Sequence, residues 1–171
     1  MNSLPSKRNW QKGKLVEKGM AADGLFRLVF ELPEYVRHEA GQHYDIRLTA
    51  ADGYVAERSY SIGNAPENTG RVEFGIGFIP EGEVSPYLTN IPLGKEIDMR
   101  GPIGGHFIWS HTMPGPLVVI GGGSGMVPLM AMLRHAENYK KEMAGRPIYA
   151  FASSRTFPRI PYYSELQKMQ A

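Results

Sequence analysis

The sequence predicts an antiparallel β-barrel over residues 1–113, followed by an incomplete α/β unit over residues 114–171. Three observations carry this. Short runs of alternating apolar and polar residues recur through the first two-thirds of the chain, separated by turn residues. From Leu117 onward the period becomes helical, in the order strand, helix, strand, helix, which calls for a parallel sheet with crossover helices. Between the two patterns lies Met113-Pro114-Gly115-Pro116, whose composition is that of a linker.

The elements follow in order. After a polar start, Leu25 to Leu32 is a β-rich run closed by Pro33. Tyr44, Ile46 and Leu48 alternate with His43, Asp45, Arg47 and Thr49, the pattern of a strand buried on one face. Asp52-Gly53 supplies a turn and Tyr54 to Ile62 returns as the next strand. Asn64 to Gly70 reads as a loop. Val72, Phe74, Ile76 and Phe78 alternate again, with Gly75 and Gly77 in place of polar side chains, and glycine within a strand marks close approach of a ligand or another backbone. Ile97 to Arg100 is a short strand ended by Gly101-Pro102-Ile103-Gly104-Gly105. Beyond the linker come a buried strand Leu117–Ile120, a helix from about Val127 to Met143, a strand Ile148–Ala152 and a helix from about Tyr162. Two parallel strands alone bury both faces poorly. The chain stops where a third is expected, so it is read as truncated or as covered there by something else.

The stretch with the most chemistry follows the strand Leu117-Val118-Val119-Ile120. Gly121-Gly122-Gly123-Ser124-Gly125 leads into a helix with Pro128 in its first turn, where a missing N–H costs little. Glycines let backbone amides approach a ligand, and a helix N-terminus carries about half a positive charge, so the stretch suits a phosphate. It is not the G-x-G-x-x-G fingerprint, because Met126 or Pro128 stands where the third glycine belongs. No lysine follows, which excludes a P-loop, and G-x-S-x-G fails at Met126. Glycines that serve only close helix–sheet packing are the other reading.

Two barrel segments join it. Arg58-Ser59-Tyr60-Ser61 places Arg58 and Tyr60 on one face of a strand and the serines on the other. A guanidinium grips phosphate with two prongs and a tyrosine ring offers a stacking surface; a surface arginine beside a core tyrosine is the alternative. In Gly82-Glu83-Val84-Ser85-Pro86, Ser85 reads as the N-cap and Pro86 as the first residue of a short helix whose free amides form a second anion site, or as a cap that only stabilises its helix.

In this order, Arg58-Ser59-Tyr60-Ser61, Gly82-Glu83-Val84-Ser85, Gly101-Pro102-Ile103-Gly104-Gly105-His106-Phe107 and Gly121 to Pro128 resemble the ferredoxin–NADP reductase-like flavoprotein family, from about residue 12 to the chain end. The resemblance implies an FAD-binding barrel and a Rossmann-like domain for NADPH or NADH. It implies that Arg58 holds the FAD pyrophosphate, that Tyr60 packs on the isoalloxazine and that Ser61 acts near N5, with Ser61 and Tyr60 as the catalytic pair. Ile76, Gly77 and Phe78 would border FAD through main-chain atoms, and the helix opened after Gly82 by Val84 and Ser85 would take the pyrophosphate. Gly121, Gly122, Gly123, Ser124, Gly125 and Pro128 would cradle the nicotinamide dinucleotide. Ser153, Ser154 and Arg155 end the second parallel strand, and hydroxyls with an arginine there favour a 2′-phosphate over a free hydroxyl; Arg155 could instead pair with Glu165. Further strands of the nicotinamide domain are missing, so an FAD-binding module without turnover is the first alternative to an NAD(P)H oxidoreductase.

Composition sets the remaining bounds. There is no cysteine, which excludes disulfides and cluster ligation by this chain, so a ferredoxin or other iron–sulfur acceptor must be a separate protein. A net charge of +2 is too small to point to nucleic acid. Lys7, Arg8, Lys12, Lys14 and Lys18 read as a solvated face, and Trp10 among them is the only support for an interaction domain. His38, His43, His106, His111 and His135 lack metal-ligand spacing and read as surface or turn residues. No apolar run reaches membrane-spanning length and the first ten residues lack a signal-peptide core, so the expected location is cytoplasmic, without membrane insertion.

Overall fold

The computed structural model describes residues 9–170, which leaves Lys7 and Arg8 outside the described residues. Strands β1 (Gln11–Ala22), β2 (Leu25–Glu31), β3 (His43–Thr49), β4 (Val55–Ser61), β5 (Arg71–Gly77) and β6 (Glu96–Ile103) form one antiparallel sheet in the order β4-β3-β6-β1-β2-β5. Its ends curl together where Ile62 bridges Phe74 and the Gly63 N–H donates to the Glu73 carbonyl at 2.8 Å. The result is barrel-like but not closed along its length. Phe30, Tyr44, Ile46, Phe74, Ile76 and Met99 fill the interior, and helix α1 (Ser85–Asn90) adds Leu88.

β1 lies at the centre of this sheet, where the sequence shows only a polar start. Its inward positions carry just Gly13 and Leu15, while Lys12, Lys14 and Lys18 project into solvent as expected. Trp10 is engaged structurally: the guanidinium carbons of Arg47 and Arg100 lie 4.1 and 4.7 Å from its ring centre. β6 continues past Arg100 through Gly101 and Pro102, and the Tyr44 ring packs where a Gly101 side chain would stand.

The second half pairs β7 (Leu117–Gly122) with β8 (Ile148–Ser153) in parallel, from Leu117 opposite Ile148 to Gly122 opposite Ser153. Helix α2 (Met126–Asn138) covers one face, burying Leu117 and Val119. The expectation of a fully buried strand is corrected: Val118 is 52% and Ile120 75% exposed, because no element among the described residues packs on the other face. α2 also stops five residues before the predicted Met143. Tyr139 leaves helical geometry and stacks on His111, with centroids 3.6 Å apart. Helix α3 (Tyr163–Met169) begins near the expected position. The expected linker is fastened, since Arg146 donates to the carbonyls of His111, Met113 and Gly115.

Two of the five histidines are buried, against expectation. His38 is 2% exposed and its Nε2 lies 3.0 Å from the Asn64 carbonyl; burial pushes its pKa down. His135 is 5% exposed, with Nδ1 2.9 Å from the Glu67 carboxylate and Nε2 3.2 Å from His111 Nδ1. Burial of Glu67 would raise its pKa, but the bonds from His135 and Asn138 outweigh that and hold it low.

An ion cluster joins the halves. Arg134 of α2 donates to buried Glu73 of β5 at 2.7 Å, to the Gly63 carbonyl at 2.7 Å and through two prongs to Glu165 of α3 at 2.7 Å each. Arg27 completes Glu73 at 2.6 Å, and the Tyr162 ring lies beneath the Arg134 guanidinium. Breaking a buried pair strands its partner charge. Arg134→Met is therefore expected to lose about 3 kcal/mol and lower the melting temperature by roughly 10 °C. Thermal denaturation checks this, and a loss below about 1 kcal/mol would show that the cluster does not hold the halves together.

Candidate functional site

Where the two halves meet, a cleft of about 820 Å3 opens on one side. One face of β5 leads into it. Glu73, Gly75 and Gly77 alternate with the core residues Val72, Phe74 and Ile76, so they share the outward face. Glu73 takes Arg134 and Gly75 takes Val127, seven residues earlier on the same helix; a side chain on Gly75 would overlap Val127. Gly77 lies beyond the helix, with nothing within 4 Å of where its side chain would be, and borders the cleft. The two strand glycines thus have different reasons, one being helix packing and the other open approach. The Ile76 side chain is fully buried in the barrel core, so only its main chain can reach the cleft, which Gly77 and Phe78 line.

β4 ends the sheet, and Arg58, Ser59, Tyr60 and Ser61 all border the cleft. The Ser59 hydroxyl is nonetheless committed elsewhere, donating to Asp45 at 2.6 Å, and Asp45 also accepts from Arg100 at 2.7 Å. Burial of Asp45 would raise its pKa, yet these two bonds hold it below the usual carboxylate range. The pair stiffens the strand from behind. Tyr60 is half-buried, and burial, only partly offset by Arg58, raises its pKa, so the phenol stays neutral at physiological pH. Ser61 is half-buried and its hydroxyl makes no side-chain bond among the described residues.

Gly82, Glu83, Val84 and Ser85 form the next wall. Ser85 is not the N-cap. Val84 holds that position without a side-chain cap, and Ser85 lies within the helix, its Oγ accepting from the Ile79 N–H at 3.1 Å. The serine closes the loop 79–85 instead of capping the helix, because Gly82 turns the chain back on Ile79 with a 2.9 Å backbone bond. Buried Val84 anchors the same loop in the barrel core. Glu83 projects outward between them, accepting from Tyr54 Oη at 2.8 Å and Arg58 Nη2 at 3.1 Å.

From the second half, Gly123, Ser124, Val127, Ser154 and Arg155 reach the cleft. Gly121, Gly122, Gly125, Pro128 and Ser153 do not line it. A side chain on Gly121 would stand 2.6 Å from Leu129, and one on Gly122 2.8 Å from the Ser153 carbonyl, so these two serve close packing. Pro128 is buried in the first turn of α2. Gly123 has φ +52°, in a single 3-10 turn that precedes α2. Arg155 makes no ion pair among the described residues; its expected alternative partner, Glu165, is taken by Arg134. Arg159, from the turn Phe157–Arg159, lines the same cleft, four residues beyond Arg155, without a motif in the sequence to mark it. Asp23, Gly24 and Leu25 at the β1–β2 turn complete the wall, without a motif to announce them.

The cleft fits a dinucleotide. It offers cations at Arg58, Arg155 and Arg159, apolar surface at Tyr60, Phe78 and Ile79, and open glycine backbone at Gly77 and Gly123. Among the described residues no helix is long and apolar enough to cross a membrane, and no cluster of three metal-ligating side chains occurs.

Comparison with known proteins shows the family and the fold. The family model described as "Oxidoreductase FAD-binding domain" matches residues 12–108, more than half of the chain. The chain is 34% identical over 126 residues to the reductase component of propane 2-monooxygenase from Gordonia sp. (strain TY-5), covering 72% of this chain and 34% of that protein. It is 29% identical over 126 residues to the ferredoxin–NAD(P)(+) reductase component of the naphthalene 1,2-dioxygenase/salicylate 5-hydroxylase systems of Ralstonia sp., covering 73% and 37%. The chain thus spans about a third of the length of these curated relatives. Its fold is similar to the crystal structure of a ferredoxin NADP+ reductase from Neisseria gonorrhoeae with bound FAD and NADP, with a TM-score of 0.76, 20% identity, and coverage of 93% of this chain and 63% of that one.

The two β5 glycines give a direct check. Gly75→Ala is expected to lose about 1–3 kcal/mol by forcing α2 off the strand, while Gly77→Ala stays within about 0.5 kcal/mol of the parent. Denaturant unfolding of both variants measures it, and equal losses would contradict the assignment of the two positions.

Proposed function

This chain belongs to the family of oxidoreductase FAD-binding domains, and from that membership we propose that it binds FAD along β4 and β5 and takes reducing equivalents from NADPH or NADH at the α2 end. The observation that carries this is one cleft bordered by Arg58 to Ser61, Gly82 to Ser85, Gly123-Ser124 and Ser154-Arg155. FAD, when bound, supplies acceptance of a hydride from the nicotinamide and release of electrons to a one-electron partner.

The residues divide the work of holding and orienting. Arg58 offers the two-pronged guanidinium that a pyrophosphate accepts from. Tyr60 gives a neutral ring to pack on the isoalloxazine, and the uncommitted Ser61 hydroxyl is assigned to the flavin N5 position, making these two the catalytic pair. Gly77 and Phe78, with the main chain of Ile76, border the ring; Gly82, Val84 and Ser85 set the wall that the pyrophosphate meets. Gly123, Ser124 and Gly125 are assigned to the nicotinamide dinucleotide, with Gly121 and buried Pro128 letting β7 and α2 come close and Gly122 letting β7 and β8 do so. Ser153, Ser154 and Arg155 favour NADPH, since an unpaired guanidinium matches a 2′-phosphate. No acid or base is needed for hydride transfer, so positioning dominates.

The relatives' names include reductase components of oxygenase systems. By analogy the electron acceptor is an iron–sulfur or oxygenase protein, and the 171 residues themselves hold no cysteine to ligate a cluster. The division into an FAD-binding unit over 1–113 and a partial nucleotide-binding unit over 114–171, and a cytoplasmic location, belong to the same proposal. A second reading, FAD binding without turnover, is favoured by one observation: Val118, Ile120, Tyr149 and Phe151 leave one face of the parallel pair uncovered.

Arg58→Ala is expected to weaken FAD binding about tenfold or more, the size of a lost charge-assisted bond, with the melting temperature of the apoprotein unchanged. Unaltered affinity in a flavin fluorescence titration would remove the role given to Arg58. Arg155→Ala should weaken NADPH more than NADH, and equal losses in binding titrations would remove the 2′-phosphate argument.

A further inference from the structure

Glu83 sits where a carboxylate works against the ligand proposed above. Its side chain borders the same cleft as Arg58, and each is about half exposed, at 49% and 55%. One terminal nitrogen of Arg58 donates to the Glu57 carbonyl at 2.8 Å and the other to Glu83 at 3.1 Å. Arg58 is thus already oriented by its own strand and does not need Glu83 for that. Glu83, in turn, is anchored twice: by Tyr54 Oη at 2.8 Å, and by a backbone that Val84 and the Ser85–Ile79 bond fix in place. A formal negative charge is therefore held against the cation that a diphosphate would engage.

We propose that Glu83 competes with the ligand's diphosphate for Arg58 and sets the affinity of the site below what Arg58 alone would give. This rests on the reading of Arg58 as the diphosphate anchor. To bind, the diphosphate takes over the Arg58 nitrogen held by Glu83, and the carboxylate gives up Tyr54 as it turns out into solvent. No covalent change is involved. Neutralising Glu83 removes both the competitor and a like charge beside the phosphates, while the backbone of the loop is untouched because Ser85 and Val84, not Glu83, fasten it.

The test is titration of the full apoprotein with FAD, read by flavin fluorescence at low ionic strength. Glu83→Gln is expected to bind FAD about two- to fivefold tighter, the range that an exposed ion pair gives, and the gain is expected to shrink at high salt. Tyr54→Phe, which keeps the carboxylate but removes its second anchor, should shift affinity in the same direction by less, and it carries the test if the first variant does not fold. In an Arg58→Ala background, Glu83→Gln should give no gain. Unchanged or weaker FAD binding by Glu83→Gln and Tyr54→Phe, with Arg58→Ala still weakened, would overturn the role of Glu83 and leave that of Arg58 standing. A gain that persists undiminished in the Arg58→Ala background would overturn competition for Arg58. Arg58→Ala that binds FAD like the parent would remove both assignments.

Discussion

The contact between α2 and the outer face of β5 is the constraint on which the site depends. Arg134 grips Glu73, and two turns earlier Val127 rests on Gly75. Strand spacing of two and helix spacing of seven bring both pairs into register at once. This fixes where the N-terminus of α2 stops. The next residue on the same face of β5 is Gly77, and the residues just before α2 are Gly123 and Ser124, so the cleft opens where the helix ends. An arginine buried among two carboxylates, a carbonyl and a tyrosine ring keeps its charge, since burial alone would lower its pKa but these partners raise it. It orients the second half on the barrel and leaves the cleft-lining elements free of that task.

Most of the strands were legible because one face of each is apolar and turn residues separate them. β1 was not, since a central strand with only Gly13 and Leu15 inward and lysines outward looks like a polar tail. The buried strand expected at Leu117 to Ile120 follows from its continuous apolar run, but coverage by a helix on each face is a tertiary fact, and among the described residues α2 alone covers it. Helix α2 ends at Asn138 because His111, distant in sequence, offers Tyr139 a stacking partner.

The site was legible in its motifs and not in their division of labour. Alternation places the Ile76 side chain in the core with Val72 and Phe74, and the structure shows it there. What sequence does not reveal is that Gly121 and Gly122 serve packing while Gly123 faces the cleft, since all three belong to one glycine run. The place of Ser85 before Pro86 has the form of a cap, and the fold instead uses its hydroxyl to close the loop on Ile79. Arg159 and Glu83 carry charge into the cleft from positions that no spacing rule marks. Together with Arg58, Arg155 and Asp23 they make it a place of mixed sign, with two arginines on the side of the second half and an arginine–glutamate pair on the side of the barrel.

The proposed function requires this cleft to hold FAD where a nicotinamide nucleotide can pass it a hydride. The visible absorption spectrum of the purified chain, supplied with FAD and then treated anaerobically with NADPH and NADH in turn, tests it most directly. The account predicts a yellow protein whose flavin absorption bleaches on addition of the nucleotide, faster with NADPH. Flavin that binds and stays oxidised would reduce the function to FAD binding without turnover. A colourless protein that fails to retain added FAD would contradict the account.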